Sequence, residues 1–325
     1  MKLGTLKNKT LDGELVVVNQ SMTQYKKVSN ISATFQKAVE NWNSVKPQLE
    51  EVYKSLNAGT CEGVEAFSTD LMHSPLPRAY QWLDGSAYIH HIVLVRKARN
   101  AEPPETLFTV PLMYQGGSDT FLAPTEDIPQ VDFSHGTDFE GEVGVILSDV
   151  PMGVSAEKAL DHIICFVLIN DVSLRGLIPA ELKNGFGFMQ SKPSSAFSPV
   201  VVTPDELGEH YKEGRLHLPL DVEYNDSFFG KANAKEMHFN FGQLIAHAAK
   251  TRNLSAGTII GSGTVSNENP EMGSSCLAEK RMIEKIETGE FKTPFMKDGD
   301  TIKISMSLPS GENLFGTISQ KVKSI

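Results

Sequence analysis

The residues of this chain that could do chemistry begin with two acids in DFEGEVGVIL, residues 138–147. Phe139, Val143, Val145 and Leu147 recur at period 2, the alternation of a β-strand, which puts Glu140 and Glu142 on one face with Gly144 and Ile146. Two carboxylates so placed sit about 6–7 Å apart and repel each other. Either that face is solvated or the pair holds something positive. Asp171 favours the second reading. It follows ICFVLIN, a run with no polar residue before Asn170, which reads as a strand buried on both faces. A carboxylate at the end of such a strand needs a cation or several donors. Ligation by oxygen alone suits Mg²⁺, Ca²⁺ or Mn²⁺ better than zinc, and no histidine or cysteine lies at ligand spacing.

Three further groups stand near in sequence. In WLDGSAYIHHIVLVRKAR, Asp84 precedes an apparent strand and His91 follows seven residues later. Arg175 and Lys192 flank a glycine-containing loop, where they could bind an anionic substrate or an oxyanion, or simply be surface charge. Glu279 lies in a helix or turn within SSCLAEKRMIEKI. Motifs that would point elsewhere fail: GSGTVS at 261–266 ends in Ser266 where a dinucleotide fingerprint needs glycine, and Walker A, HExxH and GxSxG are absent.

The elements that must position these groups are mostly strands. LDG before ELVVV signals an N-terminal hairpin. Phe35, Val39, Trp42, Val45, Leu49 and Leu56 recur at helical spacing, predicting one long helix with Ser32 or Thr34 as N-cap. A polar stretch at 57–70 precedes a boundary near residues 70–78, which divides a small N-terminal domain, 1–75, from a catalytic domain, 76–325. Beyond it YIHHIVLV, LFTVPLMY, FEGEVGVIL, ICFVLIN, PVVVT, LHLPLDVEY, GTIIGSGTVS, TIKISMSL and NLFGTISQKV read as strands. Two short helical patterns interrupt them, at 155–163 and 240–250. The fold class is α+β and strand-rich, not an alternating βαβ sheet.

Bulk properties exclude other partners. With 30 Lys+Arg against 40 Asp+Glu the formal charge is −10, which argues against nucleic acid or an anionic membrane. IICFVLI is far too short to span a bilayer, no signal-peptide core opens the chain, and three scattered cysteines suggest a reducing compartment. A soluble, cytoplasmic protein is expected.

Taken together, LDGSAYIHH, VPLMYQGGSD, FEGEV, LINDVSLR, QSKPSSAFSP, GSGTVSNENP, CLAEKR and TPFMKDGDTIKISM resemble, in order, the fumarylacetoacetate hydrolase family in its bacterial two-domain form. The resemblance spans roughly residues 80–305. It implies a mixed β-roll catalytic domain, a homodimer, and Glu140, Glu142, Asp171 and Asp84 as ligands of Mg²⁺, or of Ca²⁺ or Mn²⁺. It implies His91 as general base oriented by Glu279, Arg175 and Lys192 as oxyanion stabilisers, and Tyr114 and Thr264 as substrate-positioning residues. The implied reaction is hydrolysis of a C–C bond in a small dicarbonyl acid, either fumarylacetoacetate, as in tyrosine breakdown, or a related acylpyruvate. A metal-dependent 2-oxo acid decarboxylase or isomerase is the alternative within the family. A non-catalytic metal-binding interaction protein is the alternative from another class.

The chain departs from the animal-type pattern where substrate is read. Ser86 replaces a tyrosine, and Ile178 and Leu182 stand where that enzyme has a glutamine and a tyrosine. Gln190 is a candidate replacement for the glutamine. A family arginine maps to Arg96 or Arg99.

Overall fold

Alternation along two strands builds the centre of the molecule. In the computed structural model, which describes residues 1–97 and 105–325, Gly141–Leu147 and Ile163–Asn170 pair antiparallel and are buried along their whole length. Phe139, Val143, Val145 and Leu147 enter one core, and Ile146 enters another on the opposite face. Burial on both sides explains why ICFVLIN is apolar without alternation.

Among the described residues, these two strands belong to a sheet of twelve. Its main path runs Glu65–Ala66, Gln24–Lys27, Glu14–Val18, Lys2–Leu6, Val200–Val202, Ile163–Asn170, Gly141–Leu147, Ile259–Gly261, Trp82–Gly85, Met113–Gly116. Only Ile259–Gly261 against Trp82–Gly85 is parallel on that path. A second sheet of five strands, Ser227–Asn233, Pro219–Tyr224, Thr301–Ser305, Ile318–Ser324 and Ile128–Gln130, packs over the Phe139 face. The strand-rich α+β reading holds.

The N-terminal hairpin forms as its turn signal predicts, and its first strand then continues the central sheet by pairing with Val200–Val202. Lys2 is wholly buried there, its ammonium donating to the carbonyls of Gln20 (2.7 Å) and Asn313 (3.0 Å). Phe35, Val39, Leu49 and Leu56 share one core with Ile146, Val167 and Ile259. The sheet and this core therefore cross residue 75 without a break.

Besides the helix Ile178–Asn184, which forms within the segment read as a loop between Arg175 and Lys192, three elements differ from expectation. The long helix is two, Phe35–Glu40 and Trp42–Asn57, with Thr34 capping the first. Asn41 breaks it because its side-chain amide takes the Lys37 carbonyl at 3.0 Å, competing with the backbone ladder. LFTVPLMY becomes a strand only at Met113–Gly116, since Pro111 cannot donate to a ladder. YIHHIVLV is a helix, Ile89–Lys97, not a strand. Its β-branched residues favour a strand locally, but tertiary packing overrides that preference. Helical spacing gives Tyr88, His91, Ile92 and Arg96 to one cavity while Ile89, His90 and Val93 face another.

Leu49 has no exposed surface. Leu49→Ala is expected to cost about 2–5 kcal/mol, read by urea unfolding. Because its core is shared, N-terminal and central tryptophans should report one transition; two separated transitions would show that residues 1–75 are held independently.

Candidate active site

Neighbouring strand ends gather the acids. Glu142 pairs with Ile169 across the central ladder, and the Asp171 amide donates to the Glu140 carbonyl at 3.0 Å. On the other side Ile259–Gly261 carries Asp84 into register opposite Gly261. One carboxylate oxygen from each of Asp84, Glu142 and Asp171 lies within 4.8 Å of the others, all buried. The solvated-face reading of the Glu140–Glu142 pair is thereby excluded, because Glu140 is 5 % exposed and Glu142 not at all.

The glycines of GSGTVS serve this cluster and not a nucleotide. A Cβ on Gly261 would stand 2.4 Å from Asp84 Oδ1. Gly263, at φ +79°, turns its amide to donate to that oxygen at 3.1 Å.

Charge is unbalanced here. Four carboxylates, Asp84, Glu140, Glu142 and Asp171, meet the two cations Lys192 and Arg175. Lys192 Nζ donates to Glu140 Oε2 (2.7 Å) and Asp171 Oδ2 (2.5 Å). Arg175 Nη2 donates to Glu140 Oε1 at 2.5 Å. Burial opposes the charge on Glu140, yet Arg175 and Lys192 outweigh it and hold that carboxyl far below its usual range. Burial likewise opposes the Lys192 ammonium, but Asp171 and Glu140 push its pKa upward. Glu142 is the opposite case. Burial, then Asp84 and Asp171, raise its pKa strongly, and no donor reaches either of its oxygens among the described residues. Asp84 is raised by burial and by Asp171.

An orphaned buried carboxylate facing two more, in an all-oxygen donor set, fits a hard divalent cation. A second group, His91, Glu140 and Cys276, also converges within 4.8 Å. It fits a hard cation less well, because it brings a nitrogen and a sulfur, and Glu140, Cys276 and His91 Nδ1 are already engaged. Glu140 is held by both cations, His91 Nδ1 by Glu279, and Cys276 Sγ accepts the Glu279 amide. Burial also keeps Cys276 a thiol.

His91 and Glu279 meet at 2.8 Å, Nδ1 to Oε2. Glu279 is buried in the first turn of the helix Leu277–Thr288. That helix is anchored by Asp138, which the sequence reading did not single out. Asp138 accepts the amides of Leu277 (2.7 Å) and Ala278 (2.9 Å), and Arg175 Nε at 2.8 Å. One fully buried acid therefore sets both the helix carrying Glu279 and the guanidinium on Glu140. The available signal was parity: Asp138, Glu140 and Glu142 are spaced by two. Ser195 was missed as well; its hydroxyl donates to Asp171 Oδ1 at 2.8 Å.

Asp84, His91, Tyr114, Glu140, Arg175 and Lys192 line one cavity of about 400 Å³, which Thr264 completes. Glu142, Asp171 and Glu279 lie behind its wall. The Tyr114 hydroxyl is already bound to Asp171 Oδ2 at 2.6 Å, with Lys192 Nζ 5.1 Å from its ring centre. Ser86, Ile178, Leu182 and Arg96 also line the cavity. Gln190 does not: it is exposed, and its backbone N–H donates to Glu181 Oε1 at 2.7 Å. Arg99 lies outside the described residues.

With this geometry in hand, comparison with known proteins identifies the chain. Residues 81–323 match the family model "Fumarylacetoacetate (FAA) hydrolase C-terminal", and residues 1–78 match "Fumarylacetoacetase N-terminal domain 2". A 2,4-didehydro-3-deoxy-L-rhamnonate hydrolase of Sphingomonas is 29 % identical over 48 % of this chain, and the match spans 53 % of that protein's length. The oxaloacetate tautomerase YisK of Bacillus subtilis is 24 % identical over 85 % of this chain and 80 % of its own. The maleylpyruvate hydrolase of Sphingobium sp. SYK-6, solved with manganese(II) and pyruvate, shares the fold at TM-score 0.66 and 16 % identity, over 100 % of this chain and 99 % of that one. The chain belongs to the fumarylacetoacetate hydrolase family.

Proposed function

We propose that this chain is a divalent-metal-dependent hydrolase that cleaves a C–C bond in a 1,3-dicarbonyl acid of the acylpyruvate or fumarylacetoacetate type. One observation carries the reading: His91, held by Glu279, lines the same cavity as Asp84 and Glu140, and the orphaned Glu142 stands behind that wall within the Asp84–Asp171 acid cluster. In this reading Asp84, Glu142 and Asp171 hold Mg²⁺, Mn²⁺ or Ca²⁺, with Glu140 beside them. Bound there, the cation would supply Lewis-acid stabilisation of the enolate released by cleavage.

The chain's own groups account for the proton and charge movements. Glu279 holds the His91 tautomer with its proton on Nδ1, which leaves the Nε2 lone pair as base. Nε2 takes a proton from water, and the water oxygen bonds to the acyl carbon. Lys192 and Arg175 supply positive charge for the resulting oxyanion. The C–C bond then breaks, its electron pair goes to the methylene carbon, and the imidazolium returns the proton there. Water is consumed and two acids leave: from an acylpyruvate, a carboxylic acid and pyruvate. Tyr114 and Thr264 position the substrate.

Relatedness to an oxaloacetate tautomerase supports a second reading. There the same His91–Glu279 pair moves a proton between carbon and oxygen without water attack. Product mass separates the two: hydrolysis yields two acids, decarboxylation yields CO₂, and tautomerisation leaves the mass unchanged. Ultraviolet loss of fumarylacetoacetate and of acetylpyruvate, with Mn²⁺ or Mg²⁺ and again with excess EDTA, is the direct test. Metal-independent turnover of both compounds would overturn the metal-dependent reading.

His91→Ala should lower turnover about 10²–10⁴-fold while metal affinity, measured by calorimetry, stays near wild type. Normal turnover would remove His91 as base. Glu142→Gln should raise the melting temperature of metal-free protein, since it relieves buried repulsion, and should abolish the further rise caused by Mn²⁺. A variant that still gains stability from Mn²⁺ as wild type does would show that Glu142 holds no metal.

A further inference from the structure

We propose that the acyl arm read by this site is uncharged and apolar, so the preferred substrate is a 2,4-diketo acid with an alkyl or aryl tail and not a dicarboxylate. The inference narrows the hydrolase reading above and rests on it. Beside the acids, the cations and His91, the cavity lining includes a run of apolar side chains: Ile92, Leu112, Ile178, Leu182, Phe188 and Met282.

The apolar run starts at the reacting centre. The Phe188 ring meets the Tyr114 ring edge-on, 5.2 Å between centres at 74°, and the Tyr114 hydroxyl sits on Asp171. It also reaches the mouth, where Leu112 and Leu182 are 40 % and 51 % exposed. Ile178 and Leu182, four residues apart on the helix Ile178–Asn184, present one face to the cavity. Exposed apolar side chains continuous with a buried pocket are covered most favourably by an apolar ligand group. A carboxylate ending against Ile178, Leu182 and Met282 would lose water and meet no donor among those side chains. Ser86 offers only a hydroxyl, and Arg96, the cation of the helix Ile89–Lys97 on this cavity, has an interaction of its own.

The test is a substrate series on the full chain with Mn²⁺: acetyl-, butanoyl- and pentanoylpyruvate, with succinylpyruvate as the carboxylate-ended member of similar length. kcat/KM should rise about fourfold per added methylene, and succinylpyruvate should fall at least about tenfold below pentanoylpyruvate. Leu182→Arg, at a half-exposed position that tolerates a charged residue, should narrow or invert that ratio. If succinylpyruvate is cleaved as fast as pentanoylpyruvate, or faster, the apolar-arm inference fails while the hydrolase reading stands. A ratio unmoved by Leu182→Arg would also overturn it, by removing Leu182 from the tail's path. Cleavage of no member by wild type, with fumarylacetoacetate left intact as well, would overturn both readings.

Discussion

Burying like charges is the constraint on which the rest of this structure turns. Asp84, Glu140, Glu142 and Asp171 are nearly or wholly withdrawn from solvent, where each charge carries a heavy desolvation cost unless it is compensated. Lys192 and Arg175 compensate one side of the group, and the backbone amide of Gly263 supports Asp84. Glu142 has no such support among the described residues. A fold that only needed stability would replace it with an apolar side chain. The metal-binding role proposed above accounts for a buried carboxylate left without a partner at the meeting of core strands.

Asp138 extends this logic to the other half of the chemistry. By accepting two amides at the start of the helix Leu277–Thr288 and the Arg175 guanidinium, it ties a helix terminus to a charge pair. Glu279 lies in that helix's first turn, so the carboxylate that orients His91 and the guanidinium that holds Glu140 are fixed by one buried group. The His91–Glu279 pair and the Arg175–Glu140 pair therefore share one anchor. Such coupling is how a site on separate elements keeps its geometry.

The cavity between these halves is mixed in character. Ionic groups share its lining with the apolar side chains of Ile178, Leu182, Phe188 and Met282. Hydrolases and a tautomerase both stand among the relatives that this chain resembles. Ser86, Ile178 and Leu182, which depart from the animal-type pattern, all line this cavity.

How much of this was legible in the sequence follows from what is local. Period-2 alternation around Glu140 and the apolar run before Asp171 determined the two central strands, their burial and a shared face for the acids. Both signals need only neighbours along one chain. The helix Ile89–Lys97 was beyond such reasoning, because β-branched residues there favour a strand until tertiary packing decides otherwise, and the break at Asn41 turned on a single side-chain hydrogen bond. Asp138 and Ser195 went unread because what matters about them is the partner, Leu277, Ala278 and Arg175 for one and Asp171 for the other, each many residues away. The sequence by itself determined which groups could do chemistry and that Glu140, Glu142 and Asp171 belong to two core strands or their ends. Only the tertiary structure decided that Lys192 stands between Glu140 and Asp171 while Glu142 is left unpaired, because charge compensation depends on distance in space and sequence spacing does not encode it.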